Sequence, residues 1–210
     1  MTDSEPKKPR RGRPPKVVRT EQDTRATLIS RGTEVLTEYG FAASGIDGIL
    51  KSVGIPKGSF YYYFDSKEAY GHAILEHYAA YFANKLDHHL LNEQRPPLQR
   101  LEDFVEDAKN GMARHDFRRG CLVGNLGQEI AALPNGYRVW LVTTLEDWQQ
   151  RVALCLEAAQ EGGELPGGTD CSGLAEAFWI GWEGAVMRAR LERSDWPLDR
   201  FLSTFLAGLR

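Results

Sequence analysis

Apolar residues recur at intervals of three and four positions from Thr20 to the end of the chain. This interval is the period of an amphipathic helix, and no run of alternating apolar and polar residues is better explained as a strand. We therefore predict an all-α fold of about nine helices, separated by breaks at Gly40, Gly54 and Pro96-Pro97. The predicted helices cover approximately residues 20–39, 44–53, 57–63, 66–91, 101–112, 121–133, 137–160, 171–192 and 198–209.

Size and composition exclude several classes of protein. The chain has 210 residues, of which 42% are hydrophobic and 26% charged, so it can bury a core without disulfide staples. Its longest apolar stretch, around Ala177 to Met187, is interrupted by Glu183, whereas a membrane-spanning helix needs about 18 apolar residues or more. Three widely spaced cysteines and an N-terminus without an apolar signal region indicate a reducing compartment. We therefore expect a cytoplasmic protein with no membrane partner.

The N-terminal third of the chain is basic, whereas the remainder is acidic. Residues 1–67 contain 12 Lys and Arg against 8 Asp and Glu, whereas residues 68–210 contain 14 against 21. Such an asymmetry indicates a polyanionic partner for the basic end. Within that end, residues 1–19 combine four prolines with seven basic residues, which predicts a disordered arm.

Residues 44–64 have the pattern of a helix-turn-helix, in which a second short helix enters the major groove of DNA while the first rests on the backbone. The segment reads SGIDGILKSVGIPKGSFYYYF, with Gly54 at the turn and Pro56 opening the second helix. Ser44 and Asp47 have the spacing of a capping box, so we expect Ser44 to begin the first helix. Five apolar residues are expected to form the small core between these helices: Ile46, Ile49, Leu50, Val53 and Phe60.

The longer string EYGFAASGIDGILKSVGIPKGSFYYYFDSKEAY resembles the DNA-binding domain of the TetR family of repressors, through YGF, KGSFYYYF and the following SKE. The resemblance covers roughly Thr20 to Leu75, and the chain length and later helices fit the same family. It implies a homodimeric transcriptional regulator that binds a palindromic operator in double-stranded DNA and is released by a small-molecule effector, without a cofactor. The implied units are the arm at 1–19, a helix-turn-helix domain at 20–67, and an effector-binding and dimerisation domain at 68–210.

The resemblance also implies which residues contact DNA: Ser44, Gly45, Lys57, Gly58, Ser59, Tyr61, Tyr62, Tyr63 and Lys67. Residues 44–45 would meet phosphate at a helix N-terminus, where backbone N–H groups favour an anion. Residues 57–59 would reach base edges, and residues 61–62 would contact thymine methyls or phosphate. Tyr63 and Lys67 would hold the DNA backbone. An aromatic packing cluster is the alternative interpretation of the three tyrosines, whereas Phe64 is expected in the core.

The arm carries a second signal for DNA. Arg11 and Arg13 lie in the sequence PRRGRPPK, whose RGRP core resembles an AT-hook. Glycine lets such a segment lie flat, and its arginines follow the narrow, electronegative minor groove of A·T-rich DNA. The alternative interpretation is a solubilising tail.

Residues 117–129 read FRRGCLVGNLGQE and are similar to a TetR branch that senses reactive electrophiles and unsaturated acids, including acrylate-utilisation and N-ethylmaleimide-responsive regulators. Cys121 is expected at a helix N-terminus beside Arg118 and Arg119. Both the helix end and the arginines favour a thiolate and would lower the pKa of Cys121. The thiolate could add to an activated alkene, or the arginines could hold a carboxylate or an acyl-CoA phosphate. The alternative is that Cys121 is a small buried residue.

Aromatic residues in the second half are candidates for the walls of an effector cavity. Trp140, Trp148 and Trp182 are the proposed wall residues, although aromatics at helical spacing also form ordinary cores. Glu183 lies in the apolar string WIGWEGAVM, where a carboxylate needs a partner. We expect Arg188 or Arg190 to supply that partner, or the ligand to do so.

Two stripes in the last two helices predict a four-helix bundle between two copies of the chain. The first stripe is Leu174, Phe178, Gly181, Trp182, Ala185 and Ala189, and the second is Phe201, Leu202, Phe205, Leu206 and Leu209. Packing within one chain is the alternative.

Competing functions have less support in the sequence. The chain has no H-E-x-x-H, C-x-x-C, G-x-S-x-G or phosphate-loop motif, and its five histidines lack metal-ligand spacing. We therefore expect no enzyme activity, no metal and no cofactor. An architectural protein that binds A·T-rich DNA through the arm, without an effector response, remains the main alternative.

Overall fold

A computed structural model describes residues 20–209, so the arm with Arg11 and Arg13 lies outside the described residues. Within this range the chain forms nine α-helices and two short 3-10 turns, and it contains no strand, which confirms the all-α prediction. The helices are α1 (Glu21–Tyr39), α2 (Ile46–Val53), α3 (Phe60–Tyr63), α4 (Lys67–Leu90), α5 (Pro97–Ala113), α6 (Leu122–Gln128), α7 (Gly136–Glu161), α8 (Cys171–Glu192) and α9 (Trp196–Ala207). The 3-10 turns cover Lys57–Ser59 and Ile130–Ala132, so the single helix predicted over 121–133 is interrupted.

Local sequence explains where several helices begin and end. The Thr20 hydroxyl accepts from the Asp23 backbone N–H, and the Asp23 carboxylate accepts from the Thr20 backbone N–H, each at 3.1 Å. This reciprocal capping box satisfies two backbone donors at the start of α1. Ser66 caps α4 by accepting from the backbone N–H of Ala69 at 3.0 Å. Gly54 ends α2 in the left-handed conformation, with φ of 72°, which glycine adopts at little cost.

The expected cap at Ser44 is wrong. Gly45 precedes the first residue of α2, and no side chain caps that helix. Ser44 is buried, and its hydroxyl donates to the carbonyl oxygen of Gly40 just beyond the end of α1. The short connection between α1 and α2 draws the serine inward, because the carbonyl at the end of α1 also needs a donor.

Helices α1, α2 and α3 form a head, which rests on one end of a larger body formed by α4 to α9. Helices α1 and α2 pack together, and α1 packs on α4, which also contacts α5, α6 and α7. α7 packs along α8, and α9 covers α8 and α5. One continuous apolar core runs through both parts, from Leu28 and Phe60 in the head to Phe104, Trp148 and Trp179 in the body. The head is therefore joined to the body through packed helices.

The apolar stripe predicted for dimerisation on α8 proves to face the interior of its own chain. Phe178, Trp182, Ala185 and Ala189 are buried, and a Cβ at Gly181 would overlap the ring of Phe201 on α9. A second stripe lies on the exposed side of α8 at intervals of three and four residues: Ala177, Ile180, Gly184, Met187 and Leu191. Helical periodicity identifies both stripes but does not tell which one meets the core.

The second predicted stripe, on α9, is divided between the core and the surface. Leu209 is buried, whereas Phe201, Leu202, Phe205 and Leu206 remain half-buried against the core. Helices α8 and α9 therefore still present apolar surface side by side on the outside of the chain.

No helix among residues 20–209 is both long enough and apolar enough to cross a membrane. The same range contains no cluster of three or more His, Cys, Asp or Glu side chains arranged to hold a metal ion.

Candidate functional site

The second helix of the helix-turn-helix presents two tyrosines to solvent and two phenylalanines to the core. Phe60 and Phe64 are buried, whereas the exposed fractions of Tyr61 and Tyr62 are 69% and 67%. Tyr63 is half-buried and its ring lies 5.1 Å from the ring of Tyr62 in an edge contact. The two phenylalanines fill the apolar core of the head, and the side chains of Tyr61 and Tyr62 project into solvent.

Two of the outward side chains are held by nearby carboxylates. The ammonium of Lys57 lies 2.8 Å from Asp47 Oδ2, and this hydrogen bond raises the pKa of Lys57 above its ordinary value. The hydroxyl of Tyr62 donates to Glu21 Oε2 at 2.9 Å, and this contact raises the pKa of Tyr62. Exposed contacts of this kind contribute little to stability, so phosphate or a base edge can replace either carboxylate.

Of the remaining predicted DNA contacts, Gly45, Gly58 and Lys67 are exposed and Ser59 is half-buried. Gly45 and Gly58 have open space where a Cβ would point, so nothing within the chain requires glycine at these positions. Ser59 ends the 3-10 turn. Lys67 begins α4, and its ammonium lies 4.5 Å from the ring centroid of Phe41, a cation–π contact that fixes its direction. These positions leave the head accessible to a large partner.

A cavity of about 200 Å³ lies in the body, between α4, α5, α8 and the segment that leads into α6. Its apolar wall comprises Tyr78, Phe82, Met112, Cys121, Trp182 and Val186. Its polar wall includes the basic side chains Lys85, Arg114, His115 and Arg119. Lys85 pairs with Asp107 at 2.9 Å, whereas Arg114 has no ion-pair partner among the described residues. The cavity thus combines an apolar interior with positive charge.

Of the three tryptophans proposed as walls, Trp182 alone lines this cavity. Trp148 is fully buried between Phe82 and Trp179, with ring centroids 4.4 and 5.2 Å away. Trp140 is half-buried and packs against the core from α7. Helical spacing placed these residues on inward faces, and the sequence held no signal that separates the core from a cavity wall.

Cys121 lies where the sequence predicts, directly before α6, but its electrostatic surroundings are the reverse of those expected. Its side chain is 6% exposed, and Sγ accepts from the backbone N–H of Gly124 at 3.5 Å. Burial raises the pKa of Cys121 well above its ordinary value. The neighbouring arginines are engaged elsewhere: Arg118 lies 3.5 Å from Glu38, and Arg119 lies 3.5 Å from Glu34. The predicted lowering of its pKa is therefore wrong.

Glu183 also lacks the partners proposed for it. Arg188 donates to Glu192 at 2.9 Å, and Arg190 donates to Asn125 Oδ1 at 2.7 Å. The Oε1 atom of Glu183 is buried and has no hydrogen-bond partner among the described residues. Loss of hydration raises the pKa of Glu183 to about 7, while a hydrogen bond with Cys121 opposes that rise.

The segment from Cys121 to Glu129 connects the cavity directly to the head, a link that sequence reasoning missed. Glu129 Oε2 accepts from the backbone N–H groups of Phe41 and Ala42, at 3.1 and 2.8 Å. The amide of Asn125 donates to the carbonyl of Thr37 at 2.9 Å. These groups lie at the end of α1 and in the turn to α2, so α6 begins at the cavity and ends on the head.

Gly40 is the sequence signal that could have indicated this contact. Its φ of 79° favours glycine, and a Cβ at this position would overlap the carboxylate of Glu129. The sequence pattern indicates only that Gly40 ends a helix. Its second role, the close approach of a distant carboxylate, needs three-dimensional information.

Two protein families match this chain. Residues 28–70 match the family described as bacterial regulatory proteins, tetR family. Residues 97–205 match the tetracyclin repressor-like C-terminal domain. Together these ranges include the helix-turn-helix and most of the helical body.

Curated relatives are similar over nearly the whole chain. The transcriptional regulator AcuR of Cereibacter sphaeroides is 51% identical over 205 residues, which cover 96% of this chain and 92% of AcuR. The repressor NemR of Escherichia coli K12 is 33% identical over 189 residues, covering 88% and 92%. The repressor DhaR of Mycobacterium sp. strain GP1 is 30% identical over 188 residues, covering 88% and 91%.

Solved structures share the fold. A regulatory protein TetR from Rhodobacter sphaeroides superposes with a TM-score of 0.86 at 51% identity, covering 88% of this chain and 98% of that chain. The reduced form of Escherichia coli NemR superposes with a TM-score of 0.80 at 29% identity, covering 87% and 95%. Both the head and the body are therefore shared with proteins that regulate transcription.

Proposed function

Because this chain belongs to the TetR family of bacterial regulatory proteins, we propose that it is a repressor that binds a palindromic operator as a dimer. A small effector that enters the cavity beside Cys121 releases it from DNA. Its relatives AcuR, DhaR and NemR are regulators or repressors of transcription, which supports the same role for this chain. We place it in the cytoplasm, with no enzymatic step of its own beyond effector capture.

On the DNA side, the outward residues of the head support contact with the major groove. Lys57 and Tyr62 hold exposed carboxylates that DNA can displace, and Tyr61 is free to meet a thymine methyl or a phosphate. Because the Ser44 hydroxyl is turned inward, we assign the phosphate contact at this point to the backbone N–H groups at the start of α2. Arg11 and Arg13 are proposed to extend the contact into an adjacent minor groove.

The outer face of α8 supports dimerisation through a second copy of the chain. Ile180 and Leu191 are 75% and 76% exposed, and they belong to a stripe at intervals of three and four residues. Such a stripe is the pattern of a helix that packs on another helix, and Gly184 at its centre permits close approach. With the half-buried residues of α9, it would form a four-helix bundle across a two-fold axis.

The course of α6 is the observation that carries the proposed release mechanism. This helix begins at a cavity residue, Cys121, and the residue after its last turn, Glu129, hydrogen-bonds two backbone groups of the head. An effector that displaces the start of α6 changes the contact at its end. To release DNA, the effector must favour the non-binding arrangement by about 1–3 kcal/mol of coupling free energy or more.

The cavity favours a small, partly apolar effector with a negative group. Its volume of about 200 Å³ is modest, and its basic side chains include Arg114, which no carboxylate neutralises among the described residues. The similarity of residues 117–129 to an electrophile-sensing branch of the family supports one class of effector: an unsaturated acid such as acrylate, its CoA thioester, or another thiol-reactive electrophile. Cys121 is then the residue placed to meet the alkene.

The test is a titration of the purified protein against DNA from the promoter of its own gene, followed by fluorescence anisotropy. We expect salt-dependent binding that prefers the palindrome over scrambled DNA, and release by acrylate or acryloyl-CoA but not by the saturated propionate. Cys121→Ser should retain DNA binding and lose the response to electrophiles. Equal affinity for any A·T-rich DNA, with no release by any effector, would instead support the architectural alternative.

A further inference from the structure

Three buried titratable groups meet where the chain enters α6. Tyr78 and Cys121 line the cavity, and the hydroxyl of Tyr78 interacts with the Cys121 thiol. Glu183 reaches the same point from α8. A Cβ at Gly124 would overlap Glu183 Oε2 and would lie 3.7 Å from the Cβ of Cys121. The carboxyl group therefore lies beside the thiol, and the two groups affect each other's pKa.

The carboxyl group of Glu183 can accept a further hydrogen bond, which no group among the described residues donates. One oxygen faces Cys121 and Gly124, while Oε1 is buried without a hydrogen-bond partner among the described residues. The nearest arginines along α8 are committed to Glu192 and Asn125. Burial of an unpaired carboxyl group costs free energy, and such groups in native proteins commonly serve a chemical purpose.

We propose that Glu183 accepts the thiol proton of Cys121 when an α,β-unsaturated carbonyl compound adds to this cysteine in the cavity. The inference rests on the proposed effector response and names the chemistry of that site. The sulfur forms a bond to the β-carbon, and the electron pair of the carbon–carbon double bond moves to the α-carbon. The proton passes from sulfur to Glu183 and then to the α-carbon, so the step needs no oxidant or reductant.

The two groups have complementary protonation states for this task. Burial keeps Cys121 as a thiol at neutral pH because its pKa is raised well above the ordinary value. The pKa of Glu183 is about 7, so a large fraction is carboxylate at neutral pH and can accept a proton. The titratable groups that interact with this cluster are Cys121 before α6 and Tyr78 on α4. Among the described residues, no side chain of α7 or α9 shifts the pKa of Glu183.

The sign of the pH dependence follows from this arrangement. Below the pKa of Glu183 the carboxyl group is protonated and cannot accept the thiol proton. As the pH rises through about 7, the carboxylate forms and the addition accelerates. A cysteine that reacts without a base would instead accelerate about tenfold per pH unit, with no levelling off near 7, until its own, higher pKa is reached.

The experiment measures the rate at which acrylamide alkylates Cys121 in the full-length protein, by peptide mass spectrometry across a range of pH. Acrylamide is an activated alkene that does not ionise, so the pH profile reports the protein. Glu183→Gln should slow the reaction by about 100-fold at neutral pH, in line with the usual contribution of a general base, and should remove the inflection near 7. Glu183→Asp, which keeps a carboxylate, should restore part of the rate and the inflection.

Internal and external controls separate this role from a structural one. Glu176→Gln changes an exposed glutamate one heptad earlier on α8 and should leave the rate unchanged. Cys155 and Cys171 are buried away from Glu183, so their alkylation reports any loosening of the fold. If Glu183→Gln also exposes these cysteines, its fold has loosened. The alkylation rate of Cys121 in Glu183→Asp, compared with that in the wild type, then decides whether the carboxylate is needed.

Alkylation of Cys121 in Glu183→Gln at the wild-type rate and with the wild-type pH profile would overturn the proposal. A wild-type Cys121 that acrylamide never alkylates in the folded protein would also overturn it. Operator affinity is measured on the same samples. If the wild type fails to bind operator DNA while Cys121 still shows the carboxylate-dependent rate, the proposed function fails and the inference about Glu183 stands.

Discussion

Lys57 and Tyr62 each hold a carboxylate partner, which DNA would have to displace under the proposed function. Asp47 and Glu21 keep the two side chains extended over the outer surface of the head. Because both contacts are exposed, the free energy needed to break them is small. At the residue scale, the proposed exchange of protein carboxylates for DNA groups therefore costs little free energy.

Lys57→Ala and Tyr62→Ala are each expected to weaken operator binding by about tenfold or more, because each removes a contact at the base edges or the backbone. Tyr62→Phe should retain most of the affinity if the ring meets a thymine methyl, and lose it if the hydroxyl meets phosphate. The measurement is an anisotropy titration at fixed salt. Arg95→Ala, beyond the far end of the 24-residue α4, is the control for loss of one positive charge. Unchanged affinity in both alanine variants would refute the DNA-binding assignment.

The raised pKa of Glu183 also predicts how the free energy of unfolding depends on pH. Its pKa is raised from an ordinary value of 4.5 to about 7 in the folded chain, so unfolding releases its proton between these values. The folded state loses stability as the pH rises through this window and holds a buried carboxylate above it. Glu183→Gln should therefore gain stability relative to the wild type on going from pH 4.5 to pH 7, by at most about 3 kcal/mol.

The free energy of unfolding in urea at a series of pH values checks this expectation. Glu176→Gln, which removes an exposed carboxylate from the same helix, should show no such pH-dependent difference. A constant difference between Glu183→Gln and the wild type at all pH values would show that Glu183 titrates normally.

At the scale of elements, α6 is a seven-residue helix whose two ends both contact the region around the end of α1. Gly120 and Asn125 contact the Thr37 carbonyl, and Glu129 holds the turn that follows α1. Because this helix is only seven residues long, a shift of its first turn is expected to alter the contacts at its last turn. We therefore propose that α6 is the element that joins effector binding to the position of the head.

Glu129→Ala is expected to reduce the effector response more than DNA binding itself. The substitution leaves the N–H groups of Phe41 and Ala42 without their acceptor and separates the head from α6. We expect the ratio of operator affinities with and without effector to fall several-fold towards one. The control is Glu146→Ala on the exposed side of α7. A fully retained ratio in Glu129→Ala would remove α6 from the mechanism.

At the scale of the whole molecule, the proposed dimer depends on the exposed stripe of α8 to bring two heads together. Two recognition helices must lie about 34 Å apart to read successive major grooves. A single chain has one head, so selectivity depends on a defined pairing of two chains. The apolar stripe on α8 and the adjacent surface of α9 are the surfaces that we assign to that pairing.

Ile180→Lys is expected to convert the dimer to a monomer, because it buries a charge at the centre of the proposed interface. Sedimentation velocity measures the oligomeric state, and operator affinity should fall by at least about 100-fold when the second head is lost. Val139→Lys, on the 70% exposed side of α7, should change neither. A dimer that survives Ile180→Lys but not Val139→Lys would place the interface on α7.

The sequence by itself determined the helices, because their signals are local. Apolar spacing, the cap at Ser66 and the glycines at 40 and 54 act within a few residues of the chain, and the predicted and observed bounds agree closely over α1, α4, α7 and α8. The burial of Phe60 followed from the same local pattern, whereas the outward Tyr61 and Tyr62 were implied by the family resemblance. The family resemblance added the use of the head.

Only the tertiary structure decided which apolar face each helix buries and what lies beside each titratable group. Two stripes of similar apolarity compete on α8, and packing against α7 and α9 selects one of them. The surroundings of Cys121 were inferred from its neighbours in sequence, Arg118 and Arg119, whereas burial and then Glu183, 62 positions further along the chain, raise its pKa. Electrostatic and packing energies depend on distances in space, which residue spacing along the chain does not encode.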